Sequence, residues 1–114
     1  MTFELIYEQD YKRLIPAIIN DSRSVIPSLI GRDGNDVYAY SQSQINLVTS
    51  GVLFYRISIE TGNLAGYIGI NVVNGSASVL IMQLRPAFVP FSNEISKVIS
   101  TFIINNTFLQ DVLF

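Results

Sequence analysis

From Phe3 to Glu8 apolar and polar residues alternate, with Phe3, Leu5 and Tyr7 on one face, the period of a half-buried strand. Asp10 follows, placed to cap a helix. Beyond it Ile15, Ile18, Ile19, Ile26, Leu29 and Ile30 recur mostly at three- and four-residue spacings. Pro16 and Pro27 break this run, because each lacks an N–H and crowds the preceding turn. The spacing predicts one helix over about residues 10–24 and a short helical piece opening at Pro27. Residues 31–36 read as a loop, with Asp36 as the cap of a weaker helix ending near Gly51.

The middle of the chain alternates again. In residues 52–60, Leu53, Tyr55, Ile57 and Ile59 share a face, and Thr61, Gly62 and Asn63 make a turn. Residues 64–73 are apolar on both faces apart from Asn71 and two glycines, as a central strand requires. Asn74-Gly75 is a strong hairpin signal, since both residues tolerate the positive φ of a type I′ turn. Residues 76–85 complete an antiparallel meander. Pro86 and Pro90 bracket an irregular stretch. Ser92 then stands as the cap of an amphipathic helix with Ile95, Val98, Ile99, Phe102 and Ile103 on one face, ended by Asn105-Asn106. Residues 108–114 read as a last strand. The order β-α-α-β-β-β-α-β makes residues 1–114 one α/β (α+β) domain with a mostly antiparallel sheet, stopping after the fifth strand. A strand-helix-strand unit at the end implies that the tail runs parallel to the third meander strand, beside Met82.

Composition narrows the chemistry. Cysteine and histidine are both absent, which removes thiolate sites, disulfides, the commonest general base and the commonest metal ligand; no metal is expected. Net charge is −2 and the only adjacent basic pair is Lys12-Arg13, so no nucleic acid partner is expected. No apolar run reaches the length of a membrane span, and Met1-Thr-Phe-Glu-Leu lacks the pattern of a secretory signal, so a cytoplasmic protein is expected. Charged residues make up only 14% of the chain, against about 25% in typical domains, which points either to a partner surface or to a neutral polar exterior. The apolar tail would be covered by a second copy in a homodimer, or by the domain's own helix.

Gly62-Asn-Leu-Ala-Gly66-Tyr-Ile entering the middle strand, and Leu84-Arg-Pro86-Ala-Phe88 leaving the next, resemble segments of the GNAT N-acetyltransferase superfamily. The resemblance spans most of the chain as short, loosely specified motifs. It implies that acetyl-CoA is the donor and a small amine the acceptor. It also implies that the pantetheine arm lies between two splayed parallel strands, with the pyrophosphate on N–H groups at the start of the next helix. On that basis the cofactor-binding candidates are Gln83 and Leu84, chiefly through main-chain groups, then Arg85, Ser92 and Asn93. The family's phosphate loop usually reads Arg/Gln-x-x-Gly-x-Gly/Ala, and here Val89, Ser92 and Glu94 stand at its defining positions, with Pro90 among them. These departures suit a helix start better than a nucleotide. They imply a degenerate domain that serves protein interaction or homodimerisation as the alternative to an acyltransferase. Further along, the family often places a tyrosine general acid, and no position of these 114 residues matches it, so no catalytic residue is assigned. Tyr38, Tyr40 and Tyr55 read first as packing residues, and Glu60 as a solvated carboxylate at a strand end.

Overall fold

Asn74 and Gly75 both carry positive φ, 52° and 80°, and the two-residue turn they form closes the hairpin at the centre of the fold. A computed structural model describes residues 1–49, 51–60, 62–106 and 111–113. In chain order the elements are β1 (Phe3–Tyr7), α1 (Tyr11–Ser22), α2 (Gly34–Leu47), β2 (Val52–Ile59), β3 (Leu64–Val73), β4 (Ser76–Leu84), α3 (Ser92–Asn106) and β5 (Asp111–Leu113). Short 3₁₀ turns cover Arg23–Val25, Pro27–Leu29 and Pro86–Phe91. The strands form one sheet in the order β1-β2-β3-β4-β5, antiparallel from β1 to β4, with β5 parallel to β4. Ser50, Thr61, residues 107–110 and Phe114 lie outside the described residues, and with them parts of the expected turn at Thr61 and of the expected last strand.

Helices cover both faces. Ile15, Ile18 and Ile19 of α1 and Val37 of α2 meet Phe54 and Tyr67 on one side of the sheet. Ile95, Ile99 and Ile103 of α3 meet Ile57, Ile68 and Ile70 on the other. Each of these side chains contributes roughly 1.5–3 kcal/mol by leaving water. β3 is buried on both faces, which explains its unbroken apolar reading.

Two bulges change which residues face which layer. Gly69 pairs with Ile81 and Ile70 with Val79, so Leu80 is the extra residue in β4. Before it Ala77 and Val79 face α3; after it Met82 and Leu84 do, and Ile81 turns to α1 and α2. Ile57 pairs with Gly66 and Ser58 with Leu64, so Ala65 is the extra residue in β3 and joins the α3 side.

Several expectations at helix ends are corrected. Pro16 does not break α1 but sits inside it. Its missing donor leaves the carbonyl of Lys12, an exposed residue, without its helical bond from position 16. The Asp10 carboxylate does not cap α1; it pairs with Arg13 Nε at 3.0 Å, and only the Asp10 main-chain carbonyl accepts from Leu14 N–H. α2 starts earlier than expected because its cap is Asp33, whose Oδ1 accepts from Asp36 N–H at 3.1 Å; Asp36 lies in the first turn. The parallel tail is where the chain order puts it in direction, but β5 pairs with Ser76, Ala77 and Ser78 rather than alongside Met82.

Candidate functional site

The far end of β4 is where the sequence candidates gather. Arg85 N–H donates to the Ala65 carbonyl at 2.8 Å, and Gly66 stands opposite Leu84. In an antiparallel ladder this makes Gly66 and Leu84 a non-hydrogen-bonded pair, so Leu84 turns its own N–H and C=O away from β3. Counting back along the same register, Gln83 and Ile81 direct their main-chain groups at β3, while Met82, like Leu84, faces the outer edge. Among the described residues β5 covers that edge only at Ser76–Ser78. Met82 and Leu84 therefore border the stretch of β4 that β5 leaves uncovered.

Close strand contact makes this geometry dependent on glycine. A Cβ on Gly66 would lie 2.2 Å from the Gln83 carbonyl oxygen and 2.9 Å from Leu84 Cα. Side chains then brace the strand end from α1. Buried Ser22 donates its hydroxyl to the Leu84 carbonyl at 3.1 Å, and Gln83 Nε2 donates to the same oxygen at 2.9 Å. Arg85 donates from Nε to Asp21 Oδ2 at 2.6 Å and from its terminal nitrogen to the Leu64 carbonyl at 3.0 Å. Its guanidinium thus ties β3 and β4 to α1 and already holds a counter-charge. It flanks two open hollows of about 470 and 330 Å³, the larger lined by Asp21, Asn63, Arg85, Pro86, Ala87 and Phe88.

The start of α3 differs from the expected cap. The 3₁₀ turn Pro86–Phe91 runs directly into the helix, and Ser92 has helical dihedrals of −54° and −39°. Its N–H bonds the Val89 carbonyl, and its hydroxyl also donates to the Val89 carbonyl instead of accepting from a first-turn N–H. The helical path thereby begins at Pro86, which carries no N–H, and Pro90 within it carries none either. Asn93 and Glu94 are exposed on the first turn. Of the five sequence candidates, Gln83, Leu84 and Arg85 come together at the strand end, whereas Ser92 and Asn93 follow the 3₁₀ turn.

The tyrosines and Glu60 fall outside this constellation. Tyr67 is buried between the sheet and α2, where burial foremost and Tyr40 second push its hydroxyl far above the ordinary range; that hydroxyl lies 3.5 Å from Gln44 Oε1. Burial, then neighbouring Tyr7, raises Tyr55, which stacks edge-on against Phe102 at 5.1 Å. Tyr38 is exposed and Tyr40 half-buried. Glu60 accepts from Thr2 N–H at 3.0 Å and so fastens the start of β1 to the sheet; hydrogen bonding from Thr2, its side chain foremost, holds the Glu60 carboxyl below the ordinary range.

Reading the sequence missed Met82, Asp21 and Ser22. Met82 was open to discovery through strand parity, had the bulge at Leu80 been visible. Asp21 and Ser22 act across more than 60 positions of chain, and no local pattern announces such contacts.

No family model matches the chain, and no curated protein matches it. Solved structures do share its fold. YycN of Bacillus subtilis, a structure assigned to the acetyltransferases, superposes with a TM-score of 0.65 at 9% identity, over 98% of this chain and 80% of its own. PaiA N-acetyltransferase of Thermoplasma acidophilum, solved with coenzyme A, gives 0.52 at 15% identity, over 89% and 74%. A GNAT-family acetyltransferase of Staphylococcus aureus gives 0.50 at 19% identity, over 93% and 70%. The chain has the fold of the GNAT acetyltransferases.

Proposed function

We propose that this chain is an acyltransferase-type domain that lays the pantetheine arm of an acyl thioester along the outer edge of β4, for transfer of the acyl group to a small amine in the cytoplasm. The observation that carries the reading is that the main-chain groups of Met82 and the N–H of Leu84 turn away from β3, beyond the three residues covered by β5. The arm carries two amides, and outward main-chain groups two residues apart can bond an extended chain as another strand would. The PaiA structure contains coenzyme A, which supports the same ligand class here. Transfer would join the amine nitrogen to the acyl carbon, break the carbon–sulfur bond and pass the amine's proton to the departing thiol. Proximity and main-chain hydrogen bonding would supply the rate, since β4 itself, Ser76–Leu84, carries no titratable side chain. Of the sequence candidates, Leu84 is retained as a contact through its main-chain N–H, and Gln83 as a side chain that, with Ser22, holds the Leu84 carbonyl. Arg85 is retained as the brace of the strand end.

Thermal unfolding with acetyl-CoA tests this. A binder at one hundred times Kd gains about 2.7 kcal/mol, so the melting temperature rises with ligand concentration; an unchanged melting temperature at millimolar acetyl-CoA contradicts the reading.

One observation favours a second reading, a non-catalytic domain of the same fold that binds a protein partner or its own twin. It is the start of α3, with two prolines, an inward-turned Ser92 hydroxyl and Glu94 in the first turn. Light scattering on the purified chain separates the twin from the monomer, and a monomer at high concentration removes the homodimer.

A further inference from the structure

We infer that the donor recognised by this chain is the acyl-pantetheine arm alone, and that a nucleotide diphosphate adds nothing to its binding. The inference rests on the acyl-thioester reading above and narrows its substrate class.

A diphosphate needs donors that are free and an environment that is not negative. An ordinary helix start offers both, through unpaired N–H groups and the positive end of the dipole. Here the residue that opens the helical path is Pro86, and it has no N–H. Phe88 N–H is bonded to the Arg85 carbonyl at 2.9 Å, Pro90 has no donor, and Ser92 N–H is bonded to the Val89 carbonyl. The Ser92 hydroxyl points back at that same carbonyl. Glu94 then adds a carboxylate to the first turn of α3, where a diphosphate would meet like charge.

The neighbouring hollow does not replace the missing cradle. Its cation is Arg85, and Asp21 lies 2.6 Å from its Nε. Any anion arriving there competes with a carboxylate already in place. A phosphate at this end of β4 therefore gains little attraction, and the chain's net charge of −2 adds none. The pantetheine amides face no such obstacle, since the main-chain groups of Met82 and the N–H of Leu84 turn to the outer edge and are neutral. The donor chemistry that fits is a thioester on a pantetheine arm, whether the arm is free or carries a single phosphate as it does on a carrier.

Isothermal titration of the full chain with acetyl-pantetheine, acetyl-4′-phosphopantetheine and acetyl-CoA tests this. The expected result is three dissociation constants within about threefold of one another, a difference under ~0.7 kcal/mol. Tighter binding of acetyl-CoA than of acetyl-pantetheine by tenfold or more overturns the inference and leaves the acyltransferase reading standing. If none of the three binds, both fall. A gain of tenfold or more at acetyl-4′-phosphopantetheine over acetyl-pantetheine likewise overturns the inference, because this end of β4 would then attract a phosphate. Glu94→Gln supplies a second readout: it should tighten acetyl-CoA by about twofold to fivefold and leave acetyl-pantetheine unchanged, and an equal effect on both would count against the account.

Discussion

The two ends of β4 present the same outer edge in different states. At Ser76–Ser78 the edge is paired in parallel with β5. At Met82–Leu84 it lies beyond that pairing, and the strand is held instead from its flanks, by β3 through the glycine contact and by α1 through Ser22 and Arg85. Pairing satisfies an edge and closes it. Bracing from the side occupies the Leu84 carbonyl and leaves the outward groups of Met82 and the Leu84 N–H unpaired by a neighbouring strand among the described residues. The bulge at Leu80 separates the two regimes and reverses which side chains face α3.

The comparison can be broken at its tightest point. Gly66→Ala places a methyl group against the Gln83 carbonyl, and one strand must move. Denaturant unfolding should show a loss of about 1–3 kcal/mol, the usual cost of overpacking, together with loss of acetyl-pantetheine binding as the edge tilts. Ser22→Ala is the next in size. It removes a buried donor from the Leu84 carbonyl while Gln83 Nε2 remains, and should cost about 1 kcal/mol in the same assay. Arg85→Ala breaks a half-exposed ion pair and one bond to the Leu64 carbonyl, and should cost less, roughly 0–1 kcal/mol for the pair.

Tyr67→Phe has the smallest effect at neutral pH, because the hydroxyl lost makes only a long contact with Gln44. Alkali separates it from the parent. Burial raises the hydroxyl above its unfolded value of 10.0, so the folded state keeps a proton that the unfolded chain releases. The parent's stability is intact below that value and falls as pH climbs above it, whereas Tyr67→Phe lacks this component of the fall. Urea midpoints at pH 8 and pH 11 read the difference, and parallel loss in both proteins would contradict the burial argument.

Much of this architecture is legible without coordinates. Alternation fixes β1 and β2, the Asn74-Gly75 pair fixes the hairpin, and the Ile95–Ile103 spacing fixes α3, because each pattern is local and repeats. Helix ends are less legible. Asp33 and Asp36 both have the chemistry of a cap, and only the loop's path decides between them. Ser92 has that chemistry too, yet the preceding 3₁₀ turn continues into the helix and turns its hydroxyl backwards. The candidate site was half legible for the same reason. Its location at the end of β4 follows from the motif around Pro86, but which of Met82, Gln83 and Leu84 faces outward depends on a register that the bulge resets.

Amide hydrogen exchange along β4 tests the open-edge claim most directly. In the free protein Ile81 and Gln83, bonded into β3, should exchange more slowly than Met82 and Leu84. With saturating acetyl-pantetheine the Met82 and Leu84 amides should slow, and those of Ser92, Asn93 and Glu94 should keep their rates. Protection appearing at Ser92–Glu94, with Met82 and Leu84 unchanged, would contradict the account.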